Sequence, residues 1–376
     1  MGNGQGETEA TVRVWDLPVR LYHWTQAALV TLALLSGLLA PLPWFNLHVV
    51  TGYAITALLA FRLVWGLFGS EYSRFASFVF HPRRVIAHVG AVLRGRPSHH
   101  LGHNPGGAVM VTVLLGAVLV IVASGLLALG GEDKAGPLGA LASYATGHAA
   151  HAVHQLVAYA VIPLVAIHLL GVAIESRLGR HSLIRAMIDG DKPLPADQPP
   201  PALQPARPGP ALAACAGLAL VTALGLAWAA GRPIPGVPDL PANPVYRAEC
   251  GACHWAYHPS LLPADSWRRM MTGLEDHFGE DAGMSPAHAA TILAWLTGHA
   301  AESWDTLAAN RLRRIDPAKP LRITATPFWQ ARHHDIPAPV FKAVKGGAGN
   351  CLACHRDADG GRFGFRNILL PAETPR

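Results

Sequence analysis

Five runs of predominantly apolar residues dominate this chain. They cover roughly 22–40, 48–68, 108–129, 150–174 and 211–230. About 20 such residues in a helix span the hydrocarbon core of a bilayer. The third run (AVMVTVLLGAVLVIVASGLLAL) and the fifth (ALAACAGLALVTALGLAWAA) hold no charge at all. Charged residues make up 14% of the 376 residues, against roughly 25% in a soluble protein. That is too little polar surface for a wholly soluble domain. The net charge of +6 is modest and no long basic run occurs, so nothing points to nucleic acid.

Lysine and arginine in the short loops set the orientation. The loop after span two carries Arg74, Arg83, Arg84, Arg94 and Arg96, and the loop after span four Arg177, Arg180, Arg185, Lys192 and Arg207. The loop after span one has none, and the loop after span three has Lys134 alone. The basic loops and the N-terminus are therefore expected in the cytoplasm of a bacterium. Five crossings then put residues 231–376 in the periplasm. Residues 1–11 show no basic stretch followed by a short apolar core, so a membrane helix is expected to carry the C-terminal part across. The expected division is a four-helix membrane domain over 1–192, a proline-rich cytoplasmic linker over 193–210, a fifth span over 211–230 and a periplasmic domain over 231–376. A second proline-rich stretch, 233–244, precedes the folded part of that last domain.

Four of the five cysteines fall in two short motifs, Cys250-Gly-Ala-Cys253-His254 and Cys351-Leu-Ala-Cys354-His355. In C-x-x-C-H the two thiols join the vinyl groups of one haem, and the next residue, histidine, reaches the iron from below. A zinc ribbon would need no histidine directly after each pair. Two covalent c-type haems follow, with His254 and His355 as proximal ligands. The sixth ligand of each is more open: His258, His277, His288, His299, His333 and His334, or Met270, Met271 and Met284, are on offer. His277 follows a helical segment and His333 lies in a polar turn, which makes them the preferred distal pair.

Histidine is unusually frequent, at 20 residues, and some histidines fall inside the spans, where ionisable groups are costly and usually functional. His154 and His168 are 14 residues apart, which at about 100° and 1.5 Å per residue puts them on one helix face about 21 Å apart. His151 lies about 100° off that face. Span one starts with His23 and span two with His48. Depth alone pairs His23 with His168 on the inner side and His48 with His154 on the outer side, each pair fit to hold one b-type haem. Gly37, Gly52 and Gly171 can admit a flat ring close to the backbone or serve ordinary helix packing. Arg20 and Arg62 can meet haem propionates or anchor helix ends. His81, His88, His99, His100 and His103, in the loop after span two, are expected to be solvated.

Two stretches carry a family resemblance. Residues 12–192, with VWDLPVRLYHW, HVVTGYAITALLAFRLVWGLFG and IHLLGVAIESRLGRHSLIRAMIDG, resemble the prokaryotic cytochrome b561 and hydrogenase b-type cytochrome family. That resemblance implies a four-helix bundle with two haems b, ligand roles for His23, His48, His154 and His168, and exchange of electrons with quinone. Residues 244–371, with YRAECGACHWAYHPSLLPADSW, LEDHFGED, HHDIPAPVF and NCLACH, are similar to the dihaem cytochrome c family. This implies bis-histidine ligation through His277 and His333, or His334 in its place. The fusion through span five is a departure, because the two parts are usually separate chains.

The expected fold class is all-α: a transmembrane haem bundle, a fifth span, and a small, loop-rich domain with two c haems. The expected function is electron transfer across the bacterial inner membrane, of the quinol:cytochrome oxidoreductase kind. Quinol is oxidised at the bundle, and electrons leave through the c haems to a periplasmic haem protein. The rival readings are flow in the reverse direction, reduction of oxygen or superoxide at a haem, and a membrane anchor for a periplasmic oxidoreductase.

Overall fold

The computed structural model describes residues 10–39, 44–96, 98–194 and 199–370. Their regular structure is mostly helical, with one two-stranded ribbon. Strand β1 (Thr11–Arg13) pairs antiparallel with β2 (Asp191–Pro193), in register Thr11↔Pro193, Val12↔Lys192 and Arg13↔Asp191. The ribbon was not foreseen: three-residue strands carry no readable alternation. It ties together the two ends of the first membrane segment.

The long helices are α1 (Leu17–Leu38), α2 (Phe45–Phe68), α4 (Pro105–Gly131), α5 (Tyr144–Leu178) and α7 (Pro208–Ala230). Four of them, α2, α4, α5 and α7, are long and apolar enough to cross a membrane. Helix α1, expected as the first span, is not in that set. At about 1.5 Å per residue its 22 residues reach about 33 Å, long enough to span. Arg20, His23, Gln26, Thr31 and Ser36 make it more polar than the other four. Short helices α3 (Pro82–Leu93) and α6 (Leu183–Asp189) occupy the two basic loops.

Asp16 starts α1. Its Oδ1 accepts from Val19 N at 2.9 Å, satisfying one of the free donors of the first turn. Its Oδ2 accepts from Trp65 Nε1, Ser70 N, Ser70 Oγ and Ser73 Oγ, which fastens the start of α1 to the end of α2. Burial alone would raise this carboxyl, but those donors outweigh it and hold it below the usual range. Along α2 the buried residues are Thr51, Ile55, Leu59, Arg62 and Gly66, one stripe at helical spacing. Helix α5 continues through Pro163.

The described residues form two compact units. The first holds 10–39, 47–123 and 153–225; the second holds 44–46, 124–152 and 226–370. In the first, the proline-rich segment before α7 is not free. Gln204 O accepts from Glu71 N at 3.1 Å, Arg74 reaches Gln204 Oε1 at 2.6 Å and Pro205 O at 2.8 Å, and Arg207 N donates to Phe68 O at 2.7 Å.

The second unit contains α8 (Pro244–Cys250), α9 (Ala264–Thr272), α10 (Pro286–Gly298), α11 (Leu307–Leu312), α12 (Pro327–His333) and α13 (Ala338–Ala343). One core joins Tyr246, Leu262, Trp267, Ile292, Leu296 and Ala300; a second joins Leu261, Ala308 and Leu312. The stretch 233–244, read as a separator, packs on this domain. Val237 and Leu240 rest on Trp304 and its neighbours, and Asp305 N donates to Gly236 O at 2.7 Å. Gly236 has φ +71°, and a Cβ there would collide with Asp305.

The α4–α5 loop belongs to this second unit. Gly131 and Gly147 bring the two helices into backbone contact, since a Cβ on either would lie within 2.6 Å of the other's backbone. Lys134, almost wholly buried, reaches Asp305 Oδ2 at 2.8 Å and Ala142 O at 3.1 Å. Asp305 also accepts from Tyr144 N at 2.8 Å, the first residue of α5.

Candidate functional site

Among the described residues, four facing pairs join histidines that the sequence singles out, while His88 with His100 at 5.5 Å and His99 with His181 at 5.8 Å approach outside them. The ring centres of His23 (α1) and His168 (α5) are 6.5 Å apart. Those of His48 (α2) and His154 (α5) are 6.0 Å apart. In the second unit, His254 and His277 are 6.0 Å apart, and His333 and His355 are 6.1 Å apart. An imidazole nitrogen sits about 2 Å from a metal it ligates, with the ring centre about 1 Å further back, so two imidazoles on opposite sides of one iron hold their centres about 6 Å apart. All four separations lie at that value, so the residues fit the haems the sequence implies.

Hydrogen bonds select the tautomer in several of these rings. The Nδ1 of His48 donates to Ala33 O at 3.1 Å, that of His154 to Ile121 O at 2.9 Å, that of His254 to Trp255 O at 2.7 Å and that of His333 to Trp329 O at 2.8 Å. A carbonyl only accepts, so the proton is on Nδ1 and the lone pair on Nε2, the form an iron needs. The Nδ1 atoms of His23 and His355 are buried without a hydrogen-bond partner.

The glycines divide. A Cβ on Gly37 would lie 2.9 Å from Cε1 of His48, so this glycine makes room for an imidazole. At Gly52 and Gly171 a Cβ would meet no protein atom within 4 Å, so neither glycine is needed for helix packing. Arg62 is 3% exposed, donates to Ser73 O at 3.1 Å and stands 4.8 Å over the Phe75 ring. Arg20 donates to Ile188 O.

Both C-x-x-C-H motifs fold as helical turns. Cys250 closes α8, with Gly251 N bonded to Arg247 O at 3.1 Å. In the second motif, Cys354 N and His355 N both donate to Cys351 O, at 3.2 and 2.8 Å. One turn thus carries two thiols and the histidine. No disulfide joins the thiols, and burial pushes Cys250 up to about 11 and Cys351 up to about 12.

Of the other distal candidates, His258 is buried and meets Ser260 Oγ, His288 meets Glu249, and His299 meets Trp295 O. His334 turns to Asp335 at 3.1 Å, away from the pair. Met270, Met271 and Met284 pack on the first core. Trp329 was missed: its ring stacks on His333 at 4.4 Å. Four residues apart on α12, the two share a helix face, which was the signal available.

Two expectations of solvated histidines are corrected. His88 is 6% exposed and bonded to Glu175 at 2.9 Å. His103 lies between Trp15 and Phe78, 4.7 Å from each ring, and burial with Arg62 and Lys192 nearby holds it neutral down to about 3. An amphipathic loop helix and the ribbon cover these rings, and neither was foreseen. His151, off the haem-facing side, is engaged elsewhere. Glu132 takes its Nδ1 at 2.6 Å and that of His148 at 2.7 Å.

Imidazole pairs in a bundle of mostly membrane-capable helices, joined to a domain with two C-x-x-C-H turns, are the marks of a membrane cytochrome with b-type and c-type parts. Comparison with known proteins agrees. Residues 14–190 match the prokaryotic cytochrome b561 family and residues 246–363 the dihaem cytochrome c family, one after the other along the chain. Among curated relatives, the probable Ni/Fe-hydrogenase B-type cytochrome subunit of Rhodobacter capsulatus is 22% identical over 219 residues, covering 50% of this chain and 84% of that protein. The subunit of the same name from Cupriavidus necator is 26% identical, covering 49% and 88%. Among solved structures, the diheme cytochrome c of Shewanella baltica is 34% identical, covering 35% of this chain and 95% of that one, with a TM-score of 0.28. That of Rhodobacter sphaeroides is 38% identical, covering 32% and 96%, with a TM-score of 0.28.

Proposed function

We propose that this protein conducts electrons from hydroquinone, through two haems b and two haems c, to an acceptor on the side of its C-terminal domain. The observation that carries the reading is the set of four opposed imidazole pairs, all near 6 Å. His23 and His168 would hold the inner haem b, and His48 and His154 the outer. Cys250, Cys253, Cys351 and Cys354 would attach the haems c, with His254 opposed by His277 and His355 by His333.

When bound, the haems supply reversible one-electron chemistry. The chain's own residues fix the rings, set their tautomers and keep water from the bundle. Imidazoles from both sides of each site would favour electron transfer over a reaction with oxygen or superoxide at an open position. The acceptor is proposed to be a small periplasmic haem protein.

Five crossings of the bacterial inner membrane, with α1 as the first, fit the grouping of the loops. The turn before α2 and the α4–α5 loop belong with the C-terminal domain, while the basic loops belong to the first unit. That grouping supports a cytoplasmic basic side and a periplasmic C-terminal domain.

A pyridine haemochrome assay on the purified protein tests the core of this reading. Two haems b and two haems c are expected. His154→Ala and His168→Ala should each remove one haem b, about half the b-band absorbance. Full retention in both variants would refute the bundle assignment.

A further inference from the structure

We infer that the two covalent sites work in a fixed order: the His333–His355 site receives electrons from the bundle and the His254–His277 site passes them on. The inference rests on the conduit reading above.

The residues that close the second site are also those that touch the loops leading into the bundle. The Phe365 ring lies 5.6 Å from that of Phe45, and Phe365 N donates to Asp133 Oδ1 at 3.4 Å. Arg366 Nε reaches Asn46 Oδ1 at 3.1 Å, and Arg362 reaches Lys134 O at 3.2 Å. The same run folds back over the second motif. His355 bridges to Ile368, Leu369 N donates to Cys354 O at 2.8 Å, and Phe363 packs 5.1 Å from His355. Arg332, one residue before His333, stands 5.4 Å over Phe365. In sequence, Asn46 comes two residues before His48.

The first site lacks this connection among the described residues. His254 and His277 contact each other, Tyr257 and Phe278. The surroundings are open: Cys253 and His254 are exposed, and so are Glu275, Asp276, Glu280 and Asp281 on either side of His277. The second site is instead flanked by Arg332, Arg356, Arg362 and Arg366. Tunnelling falls steeply with distance, so the site clamped to the bundle loops is the entry and the open site the exit. Four carboxylates against Arg322, which stands 4.7 Å over the Phe278 ring, leave the exit rim acidic on balance and favour an acceptor with a basic face. Each hop moves one electron, one iron oxidised as the next is reduced, with no bond made or broken. Hydroquinone is the source and an external oxidant the sink.

The test uses the full-length protein with His333→Ala and with His277→Ala. Each variant keeps its covalent haem but leaves one iron high-spin, which marks that site in the spectrum. Reduction of the unaltered c haem by duroquinol and its reoxidation by a soluble basic cytochrome c are followed in single turnovers. His333→Ala should slow reduction of the other c haem by at least about tenfold and spare its reoxidation. His277→Ala should spare reduction and slow reoxidation to a similar degree. The opposite pattern, or equal effects, overturns the order.

A second readout needs no turnover. In a Cys215→Ala background, Asn46→Cys with Arg366→Cys should be joined by a short bismaleimide, and Asn46→Cys with Asp276→Cys should not. Joining of the second pair but not the first overturns the inference. If duroquinol reduces no haem in the unaltered protein, the electron source is wrong, and the cross-links still decide the order.

Discussion

His48 is fixed from three sides: Ala33 O takes its Nδ1 proton, Ser36 Oγ lies 3.4 Å from the same atom, and Gly37 leaves room for the ring. Gly37→Ala should therefore displace the imidazole, costing about 1–3 kcal/mol as overpacking does and one haem b by the haemochrome assay. Gly52→Ala and Gly171→Ala meet no protein atom. They should leave the haem-free bundle as stable as before yet weaken haem retention, read by haem loss on dialysis. Asp133 gives a pH signature. Burial, with Glu132 and Asp357 adding to it, raises this carboxyl to about 6. The folded chain then keeps a proton that the unfolded chain releases above about 4, so stability falls as pH rises from about 4 to 6. Asp133→Asn should flatten that dependence and add up to about 2 kcal/mol at neutral pH. Thermal unfolding at pH 4.5 and 7.5 measures it.

Among the elements, α5 contributes to both imidazole pairs of the bundle. One 35-residue helix supplies a histidine to each bundle pair, nearly the same face being regained after 14 residues. Its first turn is fixed by Asp305 and by the glycine contact with α4. Gly147→Val cannot be relieved by a rotamer, because the obstructing atoms are backbone. It should force α4 and α5 apart and destabilise the protein by about 3 kcal/mol or more, seen as a lower midpoint in thermal unfolding. The long helices were legible because apolar runs and bilayer thickness leave little choice. The short ones, α3 and α6, and the ribbon were not, because a few residues of pattern are outweighed by tertiary contacts.

Across the whole molecule, a loop of the bundle is built into the C-terminal domain. Lys134 is buried with Asp305, and Arg362, Phe365 and Arg366 hold the adjacent turns. The α4–α5 loop is thus part of the C-terminal domain's own unit. A protease site inserted between Arg232 and Pro233, then cut, should leave residues 233–376 on sedimented membranes at moderate salt. Asp305→Ala should release them, because it strands a buried ammonium. Release after cleavage alone would show the contact to be too weak to hold the domain.

The sequence by itself determined the cofactor chemistry. C-x-x-C-H is local, its spacing set by one porphyrin, and the bundle histidines are ordered by helix geometry and depth. It marked out the apolar helices α2, α4, α5 and α7 for a like reason, since one dimension, the bilayer, sets their length. Tertiary structure alone decided which distal histidine opposes which proximal one. His277 and His333 lie 23 and 22 residues from the nearer ring they meet, across turns with no periodic pattern, and His334 differs from His333 only in the direction its helix end turns it. It also decided that His88 and His103 are buried and that Lys134 is an ion-pair partner rather than a lone loop charge, because burial depends on neighbours that the chain brings up from far away.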